Sequence, residues 1–312
     1  MNKISSLVTC LIATTLLCVA SVSPSHAATT VYVSGQAGAN DTNACTLASP
    51  CRSIGYATGI AGNGGTVRCL DAGPYPETFT ATTSFTLDCE GVVYYSGNNF
   101  AIAVVQAANA PVIRFRHVIF DGAQGGNGAI IIQGGGNVVF DNCTFQNFTG
   151  DAVWFQPDTA GAHLTVTRSV FANNGGTGVS ILPTSGVKGT AVIERSQFAG
   201  NTFGIYADGS NGPALVEVRY SSVAGSSRDG IWANTSGYVA SIVVAHSASN
   251  QNGGSGILAQ GGSAYVSLND STVDWNATGL TTASGGLIIS YQDNLIAGNP
   301  SPGVTPLGIG RQ

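Results

Sequence analysis

Large apolar residues recur along this chain in two interlocked rows. Phe120, Phe145, Phe171, Phe198, Val223, Ala248, Val273 and Leu295 each follow a short polar turn, at intervals of 22 to 27 residues. Val153, Val179, Ile205, Ile231, Ile257 and Leu280 form the second row, mostly just after a glycine, at intervals of 23 to 26. Ahead of the first row, apolar residues alternate with polar ones. Ile113, Val138, Leu164, Ala191, Val216, Ser241 and Val266 each lie two residues before Phe115, Phe140, Val166, Ile193, Val218, Val243 and Leu268. Positions two apart on a strand share a face, so both sets point into one interior. The strand after the glycine repeats the rule, with Val179/Ile181, Ile205/Ala207 and Ile231/Ala233 expected inward.

Self-similarity at a fixed period of this length means stacked coils, and a propeller blade, which needs about 40 residues or more, is excluded. A turn row carries Asn174, Asn201 and Asn276, with Asn147 and Asn252 nearby. Stacked asparagines can hydrogen-bond along the stack and satisfy turn groups that have no strand partner. The pattern predicts an all-β fold, a parallel β-helix, and long irregular coils rather than strict hexapeptides make it right-handed. Ser49-Pro50 is the expected start of a short capping helix, with Ile54, Ala57 and Ile60 on its apolar face. Such a helix covers the apolar end and the open strand edges of the first coil.

Residues 1–27 read as a secretory leader, with Lys3 at its start, an uncharged, mostly apolar run from Leu7 to Ala20, and small residues at Ser25 and Ala27. The run is shorter than the roughly 18 to 20 residues that span a bilayer, and no later segment is apolar enough to do so. The expected organisation is a leader over 1–27, then an N-terminal strand, disulfide loop and capping helix over 28–65. The β-helix follows over 66–299 and a tail over 300–312.

Cysteine usage fits export. Cys10 and Cys18 leave with the leader, and Cys45, Cys51, Cys69 and Cys89 are expected to form two bridges in an oxidising compartment, secreted or periplasmic. Neighbours in sequence suggest Cys45–Cys51 and Cys69–Cys89, although four cysteines allow three pairings. Cys143 is left over, at the position where later coils carry Ser169, Ser196, Ser221 and Ser271, and reads as a small buried turn residue.

Charged residues make up 9% of the chain and the net charge is -5, against about 25% charged in a typical soluble protein. No basic stripe exists, which argues against nucleic acid as a partner and against a strongly anionic glycan held by a broad positive field. No two histidines have metal-ligand spacing, and no nucleophile motif or phosphate-binding loop appears, so neither metal nor cofactor is expected.

The stretches "ACTLASPCRSIGYA", "GGTVRCLDAG" and "SFTLDCEG", followed by the coils, resemble a family of secreted bacterial right-handed parallel β-helix proteins. The resemblance implies a fold and an exported location and brings no catalytic residues. The broader architecture is similar to pectate lyases and polygalacturonases, whose motifs are absent. There is no Asn-Thr-Asp, no Gly-His-Gly and no aspartate cluster to hold calcium beside a basic residue.

Two surface features carry candidate chemistry. Glu194 and Glu217 fall on adjacent coils two positions apart in register, a diagonal of about 7 Å, within the range glycosidases use. Arg168, Arg195 and Arg219 lie close by. The bland alternative is a solvated ladder with Glu194 opposite Arg219, and Arg116 against Asp141 reads the same way. The second feature is the outward row that follows the second anchor: Trp154, Ser180, Tyr206, Trp232, Leu258 and Thr281. Flat amphipathic rings in register can stack on sugar rings. Asp208 and Asn234, two residues beyond Tyr206 and Trp232, can hydrogen-bond hydroxyls. Covered rings that pack on a loop or another chain would look the same in sequence. Three functions follow: a glycan-binding protein for a neutral or weakly charged polysaccharide, a polysaccharide lyase or glycoside hydrolase with Glu194 and Glu217 as its acids, or a structural envelope or surface protein.

Overall fold

The computed structural model describes residues 29–38, 41–75, 78–94, 100–104, 111–122 and 125–310. The leader expected over 1–27 lies outside them. Each complete coil lays down three strands, and every pairing between coils in the body is parallel. Sheet I stacks Val112–Asp121, Asn137–Asp141, His163–Thr167, Gly189–Glu194, Ala214–Arg219, Ala240–Ala245, Ala264–Asn269 and Leu287–Ser290. A sharp turn leads to sheet II, which runs from Thr144–Gln146 through Val170–Ala172 and Gln197–Ala199 to Leu295–Ala297. Sheet III includes Val153–Gln156, Thr177–Ile181, Phe203–Asp208, Ile231–Asn234, Ser255–Gln260 and Thr278–Ala283. The fold is a right-handed parallel β-helix.

The core is a set of ladders. Phe120, Phe145, Phe171 and Phe198 stack in succession, with ring centroids 5.0, 4.7 and 4.7 Å apart, and all are buried. The second row lines up as expected, Val153 on Val179 on Ile205 on Ile231 on Ile257 on Leu280. The glycines ahead of it let neighbouring strands approach. A Cβ at Gly204 would stand 2.2 Å from Val223 Cγ1 and 2.6 Å from the Gly230 carbonyl oxygen.

The turns carry two polar ladders. Asn174 donates to Asn201 Oδ1 at 2.8 Å, Asn252 to Asn276 at 2.8 Å and Asn276 to Asn299 at 3.1 Å. Asn252 is therefore in the row, Asn299 extends it, and Asn147 is outside it, bonded to Asp121 at 3.0 Å. At the turn from sheet I to sheet II the hydroxyls of Ser169, Ser196, Ser221, Ser247 and Ser271 each accept the backbone N–H one coil earlier, the first of these from Cys143. Cys143 is buried and unbridged.

Register corrects the expectation in two coils. Val218 pairs with Val244, Val216 with Ile242 and Val223 with Ser249, so Val243, Ser241 and Ala248 are one residue out of the inward rows. In the last coil Ile296, not Leu295, pairs with Val273, and Leu295 is 57% exposed. The strands also continue past 299, where a tail was expected. Ser301–Gly303 joins sheet III and Leu307–Gly308 joins sheet I.

At the other end, Thr30–Val33 pairs with Gly65–Cys69 and the cap packs against both. The helix is Ile54–Ala61 and its N-cap is Ser53, whose hydroxyl accepts the Tyr56 N–H. Ser49 is instead bridged to Thr46 in the loop closed by Cys45–Cys51. Ile54, Ala57 and Ala61 form the buried face and Ile60 is exposed. Cys69–Cys89 is the second bridge and links neighbouring coils. Among the described residues no helix is long and apolar enough to cross a membrane.

Candidate functional site

Parallel pairing in sheet III sets Trp154 beside Ser180, Ser180 beside Tyr206, Tyr206 beside Trp232, Trp232 beside Leu258 and Leu258 beside Thr281. Residues on either side of each point inward, so the row points out. Trp154, Tyr206 and Trp232 are half-buried and Ser180 is buried. No ring of the row is fully covered and none stands free.

The rings come together at Tyr206 and Trp232, whose centroids are 4.6 Å apart with planes tilted by 42°. Phe203, on the same strand as Tyr206, also packs on Trp232 at 5.4 Å, and the Arg228 guanidinium lies over Phe203 at 4.9 Å. Three aromatic rings and a cation thus form one patch across two coils. The Trp232 indole N–H is buried with no partner among the described residues, so packing alone holds that ring. Period 2 would turn Phe203 inward with Ile205; its place at the strand start, beside the turn, lets it swing out.

Asp208 and Asn234 are drawn to the same ring. The Tyr206 hydroxyl donates to Asp208 Oδ2 at 3.0 Å, and Asn234 Nδ2 donates to that hydroxyl at 3.1 Å. Burial, then the Asp208 carboxylate, holds the Tyr206 phenol above its ordinary value. The pair therefore orients the tyrosine, and the other Asp208 oxygen accepts the Ser210 N–H at 2.8 Å. Two coils back, Asp151 accepts the Trp154 indole N–H, the Ser180 hydroxyl at 2.6 Å and the Thr177 N–H at 2.7 Å. Asp151 fixes Trp154 as Asp208 fixes Tyr206; the repeat singles out Asp208 by its place two residues beyond the ring, but not Asp151.

Glu194 and Glu217 fall on sheet I in the expected diagonal, with Glu194 beside Arg219 and Val192 beside Glu217. Each carboxylate is held by the arginine near it in sequence, Glu194 by Arg195 and Glu217 by Arg219. The arginines are 59% and 48% exposed, so such pairs contribute roughly 0 to 1 kcal/mol. Arg116 lies beside Asp141 in register, but Arg168 makes the ion pair with that aspartate. Among the described residues no three His, Cys, Asp or Glu side chains converge as metal ligands do.

A family model described as right handed beta helix region matches residues 90–216 and 128–301. The chain belongs to this family. Among solved structures, the chain is similar to pectate lyase Pel9A, with 14% identity, 88% of this chain and 78% of that one covered, and a TM-score of 0.54. It is also similar to the A-module of the mannuronan C-5 epimerase AlgE6 of Azotobacter vinelandii, with 13% identity, coverage of 80% and 92%, and a TM-score of 0.44. A third similar structure is the Dettilon tailspike protein, with 12% identity, coverage of 86% and 68%, and a TM-score of 0.41. None of the curated proteins matches the chain. At these identities the first likeness concerns the fold, and function has to be argued from the site.

Proposed function

We propose that this is an exported glycan-binding protein whose ligand, a neutral or weakly charged polysaccharide, lies across the outer face of sheet III. The observation that carries the reading is the Tyr206–Trp232 pair, two half-buried rings 4.6 Å apart on adjacent strands. Ladder pairing above and below holds them, so little freedom is lost on binding. Phe203 widens the apolar surface, while Asp208 and Asn234 supply polar atoms at its edge. The two disulfides fit an oxidising compartment. A chain with only 9% charged residues favours hydroxyl-rich ligands over anionic ones.

The test is incubation of the purified mature protein with a panel of plant and microbial polysaccharides. Retardation in polysaccharide-containing gels without products supports binding. New reducing ends or unsaturated uronates would make it an enzyme instead, and neither result would leave a structural role.

A further inference from the structure

The turn between sheets I and II carries a second organised row. Asn142, Arg168, Arg195, Tyr220, His246 and Asp270 occupy it on successive coils, all at positive φ between 43° and 54°. Asparagine and glycine suit that conformation, and bulky residues adopt it only at a cost. Here bulky residues line up. The Arg195 guanidinium lies 5.4 Å from the centre of the Tyr220 ring, and Tyr220 stacks on His246 at 4.9 Å with planes 5° from parallel. His246 Nδ1 is 2.8 Å from Asp270 Oδ2. The column is open to water: Tyr220 is 52% exposed, and the side chains of Arg195, His246 and Asp270 are 59%, 40% and 61% exposed.

Grooves run along both flanks. One of about 520 Å³ lies on the sheet II side, where Gln197, Ser222 and Thr272 form its wall. The other, of about 470 Å³, lies on the sheet I side against Glu217, Arg219, Asn269 and Tyr291. Tyr220 and His246 border both. Because Tyr220 has Arg195 on one face and His246 on the other, it offers its edge and hydroxyl rather than a stacking face. Beside the column, at the ends of the sheet I strands, charge is balanced: Arg168 pairs with Asp141, Arg195 with Glu194 and Arg219 with Glu217. A carboxylate or phosphate would meet those acids and a cation would meet the arginines. A hydroxyl donates and accepts at once, so a polyol suits both.

We propose that this corner is a second binding site, for a neutral oligosaccharide lying along the solenoid axis. The choice of ligand class rests on the glycan-binding reading; the site itself rests on residues that sheet III does not share. Parallel coils repeat about every 4.8 Å, so each coil along the column presents a fresh set of polar groups to a linear polymer.

Affinity electrophoresis through gels containing galactomannan, xylan or mixed-linkage glucan tests it. Tyr220→Asn with His246→Asn removes the column and keeps the turn, because Asn142 already occupies the same position in an earlier coil. Gln197→Ala, at an exposed groove position, guards against a folding defect in the first variant. Tyr206→Ala with Trp232→Ala reports on sheet III separately. The proposal expects at least tenfold weaker retention of the turn double variant, and weaker retention of Gln197→Ala, on a gel that retards the wild type. Wild-type retention of the folded turn variant, or of Gln197→Ala where the turn variant does not fold, overturns it. Loss in the turn variant with none in the sheet III variant supports this site and overturns the sheet III reading. A wild-type protein retarded by none of the gels overturns both.

Discussion

Phe145 and Phe171 stack face to face one coil apart, with ring centroids at 4.7 Å and planes 7° from parallel. Phe198 continues the stack at the same spacing. Each ring fills the space between its neighbours, so the ladder transmits a fixed register from coil to coil. That register continues from Phe198 to Val223 on the next coil, and on the third strand of those two coils it places Tyr206 beside Trp232.

Truncating the middle of this stack therefore removes contacts on two sides. Phe171→Ala is expected to cost about 3 to 5 kcal/mol, as for other buried phenylalanines. Denaturant unfolding of the two proteins measures it. A loss below about 1 kcal/mol would contradict the inward assignment of the row.

The asparagine ladder makes a separate prediction. Buried Asn201 accepts from Asn174 Nδ2 and from the Asn174 backbone N–H at 3.1 Å, and donates to the Phe171 carbonyl at 3.0 Å. Asn201→Ala leaves those partners buried without it, each at a cost of about 1 to 3 kcal/mol. Asn201→Ala is expected to destabilise by more than about 2 kcal/mol in the same unfolding assay. A neutral change would show that water replaces the side chain.

Cys143 gives a pH signature. Burial pushes its thiol up to about 12 from an ordinary 9.0. An acid whose folded value is raised adds stability that is complete below its unfolded value and is lost as pH climbs to the folded one, here from about 9 to about 12. Cys143→Ser keeps the residue type that the ladder carries at Ser169 and Ser196 and deletes the ionising group. The wild type is expected to lose more thermal midpoint than Cys143→Ser between about pH 8 and about pH 11. Equal losses would contradict this origin. Non-reducing peptide mapping should find Cys143 unpaired, and a bridge to it would overturn the pairing.

Period carried most of this fold, and it failed where side chains stopped distinguishing the phases. Ile242-Val243-Val244-Ala245 is apolar throughout, so either alternate pair reads as inward. A slip of one residue exchanges the two faces of a strand. The small Ser249 at the anchor position removed the remaining landmark. It is buried, with its hydroxyl bonded to the Gly256 carbonyl at 2.8 Å. The signal that resolves the register is polar: Ser247 lies two residues before the anchor and Asn252 three after, as Ser196 and Asn201 do around Phe198. Asn294 and Asn299 flag Ile296 over Leu295 in the same way. In the candidate site the outward row was legible from register. The roles of Asp151, Phe203 and Arg228 were not, because they depend on how side chains bend at strand ends.

The carboxylate pair yields a fourth prediction. Glu194 and Glu217 each already hold an arginine, so Glu194→Gln is expected to change stability by less than about 1 kcal/mol. If polysaccharide cleavage is ever detected, loss of that activity in Glu194→Gln would revive a catalytic role. An active Glu194→Gln protein would remove the pair from consideration.

The most direct test of the central claim is retention of Trp232→Ala on whichever polysaccharide gel retards the wild type most. The indole contributes ring contacts to Tyr206 and Phe203 and faces outward on a strand that ladder pairing holds on both sides. Its removal should leave the β-helix folded by circular dichroism and weaken binding about tenfold, equivalent to about 1.4 kcal/mol. Unchanged retention in the folded Tyr206→Ala, Trp232→Ala double variant would contradict a glycan site on sheet III.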